Sequence, residues 1–167
     1  GIGERRPHPL QPGVDPHLYR ASEGDVRRMT EADIVFYNGL HLEGPMVELV
    51  EQMAERGVPT AALADGVEEA RLLTPPEFQG AHDPHIWMDV MLWRAAVVRV
   101  GDALAELDPA NADGYRTRAS AYAARLDSLD AQVRERLGRI PEEQRVLVTA
   151  HDAFNYFGRA YGFDVRG

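Results

Sequence analysis

The sequence predicts an α/β protein: a parallel-sheet lobe with flanking helices, a long spine helix between lobes, and the start of a second α/β lobe. Two short β-rich runs bracket an amphipathic helical pattern across residues 33–63, which is the spacing of a βαβ unit with a right-handed crossover. A helical pattern of about 30 residues then begins at residue 109. Beyond it, Arg145-Val146-Leu147-Val148-Thr149-Ala150 reads as a strand that runs into a further helical pattern.

In chain order, Pro7 and Pro9 leave the opening segment unsuited to a central strand. Ser22-Glu23-Gly24-Asp25 offers a capping box for a short helix ending near Ala32. Asp33-Ile34-Val35-Phe36-Tyr37, closed by Asn38-Gly39, reads as a buried strand. Met46, Val47, Leu49, Val50 and Met53 recur at helical spacing until Gly57 stops them, and Val58 to Leu63 reads as the second strand. Residues 66–82, with Thr74-Pro75-Pro76 and Gly80, read as irregular.

A helix is expected from about Pro84 to Leu107, and another from Pro109 to about Gly138, where Pro141 prevents continuation. The second would be roughly 45 Å long, natural for a spine joining two lobes. Tyr115, Ala119, Tyr122, Leu126, Leu129, Val133 and Leu137 are its expected buried stripe. The chain therefore divides into residues 1–108 as a first lobe, 109–140 as the linking helix, and 141–167 as the beginning of a second lobe.

Composition narrows the function. The 167 residues are 44% apolar, enough to bury a core, and the net charge of −9 disfavours nucleic acid and anionic membranes as partners. All 18 basic residues are arginine, which reads as a composition or stability bias. With no cysteine, disulfides and thiolate sites are excluded, so a metal site would use His and carboxylates, leaving zinc, manganese or ferrous iron.

One tripeptide occurs twice, Asp15-Pro16-His17 and Asp83-Pro84-His85, and a third histidine stands in Ala150-His151-Asp152-Ala153-Phe154. The three histidines are 68 and 66 residues apart, each placed where a loop is expected to become a helix. Asp108-Pro109-Ala110 has the same Asp-Pro pair without a histidine, so Asp-Pro by itself is a helix start with a capping carboxylate. Three imidazoles from three separate segments are how proteins assemble a transition-metal site, and a helix N-terminus would favour the neutral imidazole that a metal requires.

These stretches, together with Pro12-Gly13-Val14 before the first motif, Ala32-Asp33-Ile34-Val35-Phe36-Tyr37-Asn38-Gly39-Leu40-His41-Leu42-Glu43, Ile86-Trp87-Met88-Asp89, Asn111 with Tyr115, and Tyr156-Phe157, resemble the zinc- and manganese-binding receptors of bacterial ABC importers, the ZnuA/TroA-like solute-binding proteins. The resemblance implies two α/β lobes bridged by one rigid helix with metal between them. It implies His17, His85 and His151 as metal ligands, joined by a carboxylate from the second lobe beyond Gly167. The opening strand and helix would precede Gly1, so the chain is expected to be a central fragment.

The implied function is capture of a divalent metal outside the cytoplasm, by a periplasmic protein or lipoprotein, and delivery to an ABC transporter permease. Zinc suits the imidazole set, with manganese the alternative cargo. The protein is expected to be a monomer, with no enzymatic activity and no nucleic-acid partner. Two competing functions are a three-histidine zinc hydrolase or hydratase, and a metal-stabilised surface adhesin. No His-Glu-x-x-His segment supports the first. Asp15, Asp83 and Asp152 read as caps or partners of the histidines, and Glu43 as a residue that caps or orients its neighbours, with a metal ligand the alternative. His8, His41 and His82 are expected to face solvent, and Trp87 and Trp93 to pack in the core.

Overall fold

The computed structural model describes residues 15–167, so Pro7, His8, Pro9 and the Pro12-Gly13-Val14 stretch lie outside the described residues. Helix α1 (Glu23–Thr30) begins at the expected capping box: Asp25 accepts the Ser22 backbone N–H at 2.7 Å, and Ser22 Oγ accepts the Asp25 N–H at 3.3 Å. Strand β1 (Val35–Tyr37), helix α2 (Val47–Glu55) and strand β2 (Thr60–Ala62) form the βαβ unit. The strands are parallel, with Val35 opposite Thr60 and Tyr37 opposite Ala62. Gly57, at φ +87°, takes the left-handed turn that ends α2 and returns the chain to β2. Met29, Met46, Val50 and Met53 bury the inner faces of α1 and α2 against Val35 and Tyr37.

Residues 63–88 run through short 3-10 turns without a strand or α-helix, a longer irregular stretch than the 66–82 that the Pro and Gly content predicted. Helix α3 (Val90–Leu107) then starts later than expected. Asp89, in an extended conformation, caps it by accepting the Met91 N–H at 2.8 Å, while Ile86–Met88 make a separate 3-10 turn. The residues around His85 are therefore a turn and not the first turn of the long helix.

Helix α4 (Ala112–Leu137) is 26 residues, so about 39 Å long, and is preceded by a 3-10 turn at Pro109–Asn111. Its buried and half-buried positions are Ala112, Gly114, Tyr115, Ala119, Ala123, Leu126, Asp130, Val133 and Leu137. Tyr122 and Leu129, expected inside, are each 43% exposed. The helix packs closely on α3 at one point: a Cβ at Gly101 would lie 2.5 Å from the Ala119 Cβ, so a small residue faces Gly101.

Strand β3 (Val146–Val148), helix α5 (Asn155–Tyr161) and strand β4 (Asp164–Arg166) make a second βαβ unit, again parallel, with Val146 opposite Asp164. The last strand is absent from the sequence-based expectation, because three residues of mixed polarity carry no readable period. Tyr156 of α5 is fully buried in a core with Ala64, Val67, Ile86, Leu92 and Ala96, which joins the second unit to the first.

Candidate metal centre

The two Asp-Pro-His tripeptides fold into the same turn. Asp15 Oδ1 accepts the His17 backbone N–H at 2.9 Å, and Asp83 Oδ1 accepts that of His85 at the same distance. The carboxylate mimics a backbone turn across the intervening proline, which has no N–H to compete. The helix-start reading of these motifs is thus replaced by a side-chain-closed turn. In the control, Asp108 accepts from the Asn111 side chain at 2.8 Å and the Tyr115 hydroxyl at 3.1 Å, and caps no helix N–H.

Each histidine is placed differently. His17 is half-buried, and Gly44 lies directly against its carbonyl: a Cβ at Gly44 would come within 2.2 Å of the His17 backbone oxygen. His85 is 2% exposed, and its Nδ1 sits 2.7 Å from Asp83 Oδ1. A buried carboxylate in that position accepts, so Nδ1 donates to it and Nε2 is the nitrogen left to ligate a metal. His151 is exposed at the end of the loop leaving β3, its carbonyl accepting the Thr149 hydroxyl at 3.1 Å and the Ala153 N–H at 2.8 Å.

The structure brings these three rings together. His17 Nε2 and His85 Nε2 are 3.2 Å apart, and the ligand atoms of all three histidines lie within 4.8 Å of one another. Ring centroids are 5.0–5.5 Å apart, each pair edge to face. A tetrahedral zinc with bonds of about 2.0–2.1 Å separates its nitrogen ligands by about 3.4 Å, close to the His17–His85 spacing. Burial first, then the neighbouring His85 ring, hold the His17 imidazole below its usual range, with Asp15 opposing. His17 is therefore biased towards neutral imidazole before any ligand arrives.

The rings line a cleft of about 390 Å³ with Asp15, Pro16, Leu42, Trp87, Met88, Ala153 and Phe154. Trp87 both packs on the core and stands edge to face with His85 at 5.3 Å, while Trp93 packs on the same core. Glu43 is absent from the cluster of potential ligands among the described residues. Its carboxylate accepts the N–H of Asn38 and, at 3.2 Å, that of Gly39. Burial pushes its pKa up and those two bonds oppose the rise. Glu43 thereby holds a loop in which Gly39, Leu40, His41 and Gly44 all have positive φ. His41 is exposed, whereas His82 is half-buried, its Nδ1 3.0 Å from the Thr74 hydroxyl.

Nothing in the sequence marks the roles of the supporting residues, although Asn38 and Tyr156 lie in stretches that carry the family resemblance. Asn38, read only as the end of a strand, donates to the Pro84 carbonyl at 2.9 Å and so ties the β1 loop to the second tripeptide. Tyr156 donates to the Asp83 carbonyl at 2.9 Å and accepts the Leu73 N–H at 3.1 Å. Gly44 and Asn155 complete the list. Their only sequence signal is position beside a motif.

Comparison with known proteins follows the same lines. A family model described as "Zinc-uptake complex component A periplasmic" matches residues 9–167. The manganese-binding lipoprotein MntA of Bacillus subtilis is 44% identical over 158 residues, covering 95% of this chain and 51% of that protein. The zinc-binding protein TroA of Treponema pallidum is 46% identical over 159 residues, covering 95% and 50%. The solved structure of that TroA superposes with a TM-score of 0.88 over 95% of this chain and 56% of the other. The chain thus spans about half the length of the relatives it matches.

Proposed function

Because the chain belongs to the periplasmic zinc-uptake component A family, we propose that it captures a divalent metal ion as cargo outside the cytoplasm and hands it to the membrane permease of an ABC importer. The observation that carries the reading is the convergence of His17, His85 and His151, from three distant segments, on ligand atoms within 4.8 Å of one another. Nitrogen donors favour zinc, the cargo we assign; manganese is the alternative, in keeping with the name of the Bacillus subtilis relative.

Three imidazoles leave one position of a tetrahedral ion open to a carboxylate or to water. Apart from the rings and Asp15, the cleft is lined by Pro16, Leu42, Trp87, Met88, Ala153 and Phe154. Such walls suit a carrier that shields an ion, and they offer little with which to orient an organic substrate, so we read the protein as a carrier and not an enzyme. The net charge of −9 suits a cation and not a nucleic acid. We take the working protein to be a monomer, with residues 1–108 as its first lobe, 109–140 as the linking helix and 141–167 as the beginning of the second lobe.

Calorimetric titration with zinc and with manganese, on the wild type and on the His17→Ala, His85→Ala, His151→Ala triple variant, tests this. One ion bound per chain, tighter for zinc and abolished in the variant, is the expected result. Equal binding by both proteins would overturn it.

A further inference from the structure

Asn155 stands at the first turn of α5, and its side chain reaches back to the first βαβ unit. Its Nδ2 lies 3.1 Å from Asp83 Oδ2 and 3.1 Å from Glu77 Oε1. Both partners are carboxylate oxygens, so only the NH₂ end of the amide satisfies them, and the amide orientation is fixed. Asp83 is fully buried. One of its oxygens accepts both the backbone and the ring N–H of His85, at 2.9 and 2.7 Å, and the other is held by Asn155.

That division of labour has a geometric consequence. A carboxylate held at one oxygen alone can swing about its Cβ–Cγ bond, and Oδ1 then leaves the line of the His85 Nδ1–H. Held at both oxygens, it keeps the ring in the orientation that aims Nε2 at His17. Asn155 is also four residues from His151, so the same amide ties the segment bearing the third ring to the carboxylate that orients the second. Tyr156 anchors only the Asp83 backbone.

We propose that Asn155 is a positioning residue of the metal centre: by donating to Asp83 it fixes the His85 ring with Nε2 presented, and it registers the His151 segment against that ring. The inference rests on the three-histidine reading of the site. Outer partners of a ligating histidine typically contribute 10–100-fold in metal affinity.

The test uses the full chain with ¹⁵N-labelled histidine, as wild type, Asn155→Ala and Asn155→Asp. The aspartate is nearly isosteric and cannot donate, and it adds a third carboxylate beside Glu77 and Asp83. Two-bond ¹H–¹⁵N correlation of the metal-free protein reports which His85 nitrogen is protonated, and zinc competition titration reports affinity. The wild type should show His85 protonated at Nδ1. Asn155→Ala should perturb that signal and weaken zinc binding about tenfold, with Asn155→Asp weaker still. An unchanged His85 signal and unchanged affinity in Asn155→Asp would overturn the proposal, since shape alone would then suffice. A His85 signal that responds in both variants while even the wild type binds no zinc would uphold the positioning of the ring and overturn the metal reading.

Discussion

Identical tripeptides give His17 and His85 the same turn but different ring support. Among the described residues Asp15 accepts only a backbone N–H, whereas Asp83, buried, also takes the His85 ring proton. The three histidines were legible because residue type and repetition reveal them. Their supports were not, because each contact joins positions far apart in sequence: Asn38 to Pro84 spans 46 residues and Asn155 to Asp83 spans 72. Gly44 is such a support. Substitution by alanine would place a Cβ 2.2 Å from the His17 carbonyl oxygen at a residue with φ +46°. Gly44→Ala should cost about 1–3 kcal/mol of stability and shift His17. Zinc titration beside urea denaturation checks it; the affinity loss should exceed that of Gly57→Ala, where a Cβ meets no atom within 4 Å.

Asp25 supplies the pH dependence at this scale. Burial alone would raise its carboxyl, but donation by Tyr19 at 2.6 Å, by Ser22 at 2.7 Å and by Arg28 outweighs burial and holds it far below the usual carboxylate range. A depressed folded pKa contributes stability that is complete above the unfolded value of about 3.9 and is lost as pH falls below it. Asp25→Asn should therefore cost about 1–3 kcal/mol at pH 7, and the gap from wild type should narrow in acid, below about pH 4. Urea denaturation at neutral and acid pH reads the difference. A gap independent of pH would mean that the charge contributes nothing.

At the scale of elements, the α/β class and the order of elements as far as α5 follow from periodicity and turn residues, whereas β4 does not. Nor does the register of α4. Apolarity placed Tyr122 and Leu129 inside, yet both face outward, while Ala119 meets α3 closely at Gly101. Close approach of two backbones is a property of the pair, invisible in either sequence segment. Ion pairs across the contact, Arg94–Asp127 at 2.7 Å and Arg116–Asp102 at 3.4 Å, are well exposed and contribute little beside it. Gly101→Ala should destabilise by about 1–3 kcal/mol, since its new methyl meets the Ala119 Cβ at 2.5 Å. Combined with Ala119→Gly, the loss should be smaller than the sum of the two single losses. Chemical denaturation of the four proteins measures that coupling, and strict additivity would place the strain elsewhere.

For the whole molecule, the decisive feature is that α5 docks on the first unit through polar contacts as well as through Tyr156. Arg159 donates to the Arg71 carbonyl at 2.7 Å and lies 3.8 Å from the Asp89 carboxylate, while Asn155 and Tyr156 hold Asp83. The cleft therefore sits where residues 15–18, 83–88 and 149–154 meet, and an ion held by all three rings fastens segments that the backbone connects only at long range. A ligand bound by the folded state alone stabilises it by about 2.7 kcal/mol at one hundred times its Kd, which for a chain of this size raises Tm by roughly 5–10 °C. Zinc should produce that shift in the wild type. His151→Ala should lose most of it while leaving the metal-free Tm unchanged, because the His151 side chain is exposed and leaves the buried docking contacts of α5 intact. Hydrogen exchange gives the spatial half of the same result: zinc should slow residues 83–88 and 149–154 together. Protection confined to one segment would mean that the ion is held locally and does not fasten the two units to each other.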